Sequence, residues 1–197
     1  MFLYDQSHKL NELFDLSRDE ILIPNSNVRV RNYSFSSDTG TRNEFPDLMN
    51  DTEIRENYTF RYPVFVPASR LKSDQAILFL HGLNERCWSK HLESARFLAE
   101  KTNKPVIMFP LSFHINRGLP EWSDSRKMLR KLEARKKKYP DIHDASVANI
   151  ALSERLTDDP RRFFVSGYQS ASDIMKLMHE IQDGNHPLFD SGTRMDI

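Results

Sequence analysis

Residues 76–85 read Ala76-Ile77-Leu78-Phe79-Leu80-His81-Gly82-Leu83-Asn84-Glu85, an apolar run that stops at His-Gly and passes into polar sequence. A short continuous apolar run suits a strand covered on both faces. From Glu85 to Lys101, Trp88, Leu92, Ala95 and Ala99 recur at helical spacing. That predicts a helix, with Asn84 or Ser89 as its cap. Lys104–Pro110 (KPVIMFP) is a second short apolar run, bracketed by prolines. Strand, helix and strand over this length predict a βαβ unit with parallel strands and a right-handed crossover.

Toward the N-terminus, Val28–Phe35 is strand-like and the polar stretch 36–51 is turn-rich. Tyr58, Phe60, Tyr62, Val64 and Val66 alternate on a period of two, placing them on one face of a strand. Pro63 demotes part of that strand to an edge or bulge. Toward the C-terminus, Arg117–Trp122 reads as an irregular loop, followed by helices over 125–139, 145–156 and 172–182, the last stopped by Gly184. Thr193–Ile197 begins a further strand. The expected fold is α/β with a mostly parallel sheet, an antiparallel-leaning N-terminal start and a helical cap inserted over about 111–190. Residues 1–56 form an N-terminal segment and 57–197 the main domain.

The chain has 197 residues and balanced charge, with 28 Lys+Arg against 28 Asp+Glu. Balance removes the basic excess expected of a nucleic-acid binder. No run approaches the ~18 apolar residues of a membrane helix, and no secretory leader is visible. One cysteine, Cys87, excludes an internal disulfide; beside Trp88 it reads as a small buried residue. These features point to a cytoplasmic protein without nucleic-acid or membrane partners.

Strand, His-Gly, then helix resembles the oxyanion loop of the α/β-hydrolase fold. Trp122–Met128, Leu152–Leu156, Phe164–Gly167 and Asn185–Phe189 are similar to segments of a little-characterised bacterial α/β-hydrolase-like group. The resemblance implies that the Leu83 N–H stabilises a developing oxyanion, with His81 and Gly82 shaping the loop. In that group a strand like Met195–Ile197 leads into a Tyr-Ser-x-Gly nucleophile elbow. No serine here has the Gly-x-Ser-x-Gly setting: Ser166 and Ser170 each miss it, and Ser170 or Ser172 reads as a helix cap. The nucleophile, acid and base are therefore expected outside this chain and the sheet is expected to be incomplete. An exposed edge on 76–80 would then invite dimerisation.

The implied function is serine-esterase-like hydrolysis of a small ester in the full-length form, with no cofactor or metal. The alternative is a non-catalytic interaction scaffold on a truncated hydrolase fold. Asn84, Trp122 and His114 are substrate-pocket candidates, although burial in a cap core explains Trp122 equally well. His179, Glu180, Asp183 and His186 imitate a zinc-binding helix, but Gly184 interrupts it and a polar helix face suffices. The basic stripe from Arg126 to Lys138 reads as a solvated helix face.

Overall fold

The computed structural model describes residues 2–38, 54–157 and 160–197. Among them a six-stranded sheet runs β1 (Glu20–Leu22), β2 (Val28–Ser36), β3 (Thr59–Pro67), β5 (Val106–Met108), β4 (Ser73–Phe79), β6 (Phe189–Asp196) in spatial order. The expected parallel pair is present: β4 and β5 align with Ile77 opposite Val106 and Phe79 opposite Met108. β6 adds a second parallel pairing on the other side of β4, with Ala76 opposite Met195 and Ile77 opposite Asp196.

Two expectations are corrected here. The sheet is not mostly parallel, because β1–β2, β2–β3 and β3–β5 are all antiparallel. The nine-residue register of β2 on β3 makes the N-terminal half a meander, and β3 carries that direction into the centre. Nor is 76–80 an exposed edge, since β5 and β6 flank β4; the outer strand on that side is β6. Dimerisation through 76–80 therefore loses its structural basis. The turn-rich stretch 36–51 lies, from residue 39 onward, outside the described residues. Strand β2 joins the N-terminal segment 1–56 to the main sheet.

Both faces of the sheet are covered. Phe60, Tyr62, Val64, Val66, Ala76 and Leu78 pack with Phe109, Leu177 and Ile181 on one face. Phe65, Val106 and Met108 pack with Leu10, Trp88, Leu92, Ala95 and Ala99 on the other. Leu10 comes from α1 (Phe2–Leu13), a helix that the sequence reading missed. α2 spans Leu92–Thr102, seven residues later than expected at its start. His91 is the cap residue and its side chain makes no cap bond. Pro63 sits in a strand with neighbours on both sides, but β5 pairs only with Val64 and Phe65, so proline meets no ladder partner there.

Between β5 and β6 lie α3 (Pro120–Ser123), α4 (Ser125–Lys138), α5 (Val147–Leu152), a π-helical turn (Ser153–Thr157) and α6 (Pro160–Gln182). Their apolar side chains form a third cluster around Phe113, Trp122, Met128, Ile150 and Val165. Asp124 caps α4 by accepting from the Arg126 and Lys127 amides. Helix α6 runs for 23 residues and extends from this cluster to the sheet. No described helix is long and apolar enough to cross a membrane.

Candidate functional site

In open α/β sheets, ligand sites lie beyond the carboxyl ends of parallel strands, where successive connections leave in opposite directions. Here β4 is that place. The chain leaves it through α2 to β5 on one side and returns through α6 to β6 on the other. The segment 80–91 crosses the end of β4 and carries His81, Gly82, Leu83 and Asn84.

His81 is buried at the root of this loop. Its Nε2 accepts the Leu111 N–H at 2.9 Å, so the neutral ring carries its proton on Nδ1, which donates to the Gly82 carbonyl at 2.9 Å. Burial pushes its pKa down to about 4, although the Gly82 carbonyl pulls the other way. The ring therefore stays neutral at physiological pH. Both nitrogens are engaged with backbone, so His81 clamps the loop after β4 to the loop after β5 and has no lone pair free for base catalysis.

His114 is also buried, between the Ser112 carbonyl (2.8 Å from Nδ1) and the Leu83 carbonyl (2.5 Å from Nε2). Burial lowers its pKa and the Arg155 and Arg117 charges act the same way, while the two carbonyls oppose them. It holds the Leu83 peptide from beneath, so this pocket candidate is a support for the loop. Leu83 itself is 56 % exposed, and among the described residues its N–H has no hydrogen-bond partner. No helix starts directly behind it, because α2 begins only at Leu92. Gly82 is open: a Cβ there would meet nothing closer than Glu85 Oε1 at 3.9 Å, and its φ is not positive. Glycine at 82 is not needed for folding; it leaves the space over the loop clear.

Asn84 is not a cap. Its Oδ1 accepts from Arg155 Nη2 at 2.9 Å, and Arg155 Nη1 donates to the Glu85 carbonyl at 3.0 Å. Trp122 is buried in the third cluster, packed so closely on Gly118 that a Cβ there would lie 2.7 Å from its Cε3. Cys87, expected to be buried, is exposed.

Below the loop is a buried polar network that sequence reasoning missed. Arg117 Nη2 lies 2.6 Å from Asp173 Oδ2 and donates to the Asn57 carbonyl, while its guanidinium stacks 4.1 Å from the Phe60 ring centre. Burial pushes Arg117 down to about 10 and Asp173 up, and their mutual attraction opposes both shifts. Ser37 donates to Asp173 at 2.8 Å. Ser166 donates to the Ser112 carbonyl, and Ser170 accepts the Ser112 N–H. Both serines sit inside α6 rather than on a strand-to-helix elbow, so neither is placed as a nucleophile. Ser166, Gln169, Ser170 and Asp173 fall at i, i+3, i+4 and i+7; that polar stripe, continuing the apolar one from Ile174, was the available signal.

His186 is buried and satisfied, with Nδ1 accepting the Leu188 N–H and Nε2 meeting Tyr62 Oη at 3.0 Å. Among the described residues no group of three His, Cys, Asp or Glu is arranged to hold a metal ion. The basic face of α4 is partly paired, with Lys131 meeting Glu154 and Arg135 donating to Ser153.

Residues 38–197 match the model of a family described as "Family of unknown function (DUF6051)", and the chain belongs to that family. No curated protein and no solved structure matches it.

Proposed function

We propose that this chain carries the oxyanion-loop half of an α/β-hydrolase-type site that cleaves small esters, the nucleophile being contributed from the turn that follows β6. The observation that supports this reading most is the placement of β6 parallel to β4. Its Asp196 lies opposite Ile77, so the two strands run toward the same end of the sheet. A turn following β6 there would face the Leu83 amide, the relation between elbow and oxyanion loop that the resemblance implies. The unpaired Leu83 N–H is the donor, His81 and His114 hold its peptide on both sides, and Gly82 leaves the approach clear. Ester hydrolysis through this site needs a serine whose tetrahedral intermediate places its oxyanion about 3 Å from that N–H.

The test is hydrolysis of p-nitrophenyl butyrate by the protein as its gene encodes it. Leu83→Pro removes the N–H and should lower kcat by about 100-fold or more, while Leu83→Ala keeps the N–H and most of the rate. Equal rates in both variants would exclude Leu83 as donor. Absence of hydrolysis in the unaltered protein would favour the scaffold reading, with which the fully engaged rings of His81, His114 and His186 agree.

A further inference from the structure

Two buried arginines in this molecule are built differently. Arg117 is inaccessible and faces the Asp173 carboxylate at 2.6 Å. Arg155 is only 1 % exposed, yet its two bonds go to neutral oxygens, the Glu85 carbonyl and the Asn84 side chain. Its Nε is buried without a partner, and so is Nη1 of Arg86. Among the described residues neither guanidinium is paired with a carboxylate. The Arg86 charge works against that of Arg155, and burial works against it more. Glu85, whose charge favours that of Arg155, is itself engaged by Lys90 Nζ at 2.6 Å, with His91 Nε2 at 3.6 Å. A second buried donor on the same loop, Trp88 Nε1, is also unpartnered.

Leaving a buried donor of a charged group unmet is costly. A negative charge joining two such cations would offset the cost of burying them uncompensated. Arg155, on the π-helical turn, bonds to Asn84 and Glu85, the loop residues that directly follow the exposed Gly82 and Leu83. We propose that Arg155 and Arg86 form a binding site for the oxyanion group of a small ligand, a carboxylate or a phosphate, beside the Leu83 amide. A planar guanidinium with a free Nε–H matches two oxygens of either group. Where the hydrolase reading also holds, which this extension rests on, the substrate is an ester that bears such a group.

Binding is measured without turnover, so its failure and that of the hydrolase reading are separable. The full chain is titrated with inorganic phosphate, and separately with acetate, against sodium chloride at equal ionic strength. Melting temperature and the 15N–1H signals of the arginine Nε–H groups are followed. Saturable stabilisation by phosphate alone identifies a phosphate site, and by acetate a carboxylate site. An Arg Nε–H signal that shifts with the same saturation, and is missing in Arg155→Lys, places the anion. Arg86→Gln, on a partly exposed side chain, should weaken binding at least tenfold, whereas Arg126→Gln on the basic face of α4 should leave it unchanged. No effect beyond chloride, or equal losses in Arg86→Gln and Arg126→Gln, would overturn the site.

Discussion

His81 shows how one buried side chain can fix a loop through both of its ring nitrogens. Its ring is neutral because it is buried, and it is fixed because each nitrogen meets backbone. The same logic holds for His186, whose pKa burial also pushes down to about 4. A histidine that is depressed in the folded state gives stability that is present above its ordinary pKa of about 6.5 and lost as pH falls toward 4. Each contributes a loss of about 2 kcal/mol by pH 5 and about 3 kcal/mol near pH 4. Denaturant unfolding from pH 7 to 4.5 should therefore show a steep decline in stability. His186→Gln should be less stable at pH 7 but have a slope shallower by one proton; an unchanged slope would refute the role given to burial. Gly82→Ala should leave the melting temperature unchanged within about a degree, because the Cβ has room. It should reduce ester turnover if the space above the loop is where substrate lies.

At the scale of elements, α6 links the site to the fold. Its N-terminal half packs in the third cluster, its middle carries Ser166, Gln169, Ser170 and Asp173 into the polar network, and its C-terminal half covers the sheet. Asp173→Asn leaves Arg117 charged and unpaired in the interior, which should cost about 3–5 kcal/mol in denaturant unfolding. Replacing both partners, Arg117→Met with Asp173→Leu, should recover most of that loss. A double variant as unstable as the single one would mean that the surrounding bonds, rather than the ion pair, hold α6 in place. Gly118→Ala tests the connection after β5. Its φ of −115° imposes no strain, so the expected cost of about 1–3 kcal/mol comes from overpacking against buried Trp122.

For the molecule as a whole, local pattern revealed the elements that alternate apolar and polar residues, and missed what long-range packing decides. Ala76–Leu80 and Val106–Met108 were legible as neighbouring parallel strands because both are short, apolar and separated by helical spacing. The start of α2 was misplaced because Trp88 fits its period, although it lies in the preceding turn and is buried by the fold. The antiparallel start across β1–β3 was anticipated, but its share of the sheet was not, since alternation at Phe60, Tyr62 and Val64 says nothing about how β3 pairs with β5. His81, Gly82 and Leu83 were legible as a loop at a strand end. Arg117 and Arg155 were not, because a buried arginine has the same sequence appearance as a surface one, and only its partners distinguish them. Ser170 shows the reverse error, a presumed cap that is mid-helix, since the helix begins ten residues earlier at Pro160.

If the Leu83 loop serves a serine presented beside it from the turn after β6, that serine is open to a covalent probe. Treatment of the gene-encoded protein with a fluorophosphonate, followed by peptide mass spectrometry, tests this most directly. The expected result is one labelled serine, in the turn following β6, with labelling slowed in Leu83→Pro and not in Leu83→Ala. Label on Ser166 or Ser170, or no labelled serine at all, would contradict it.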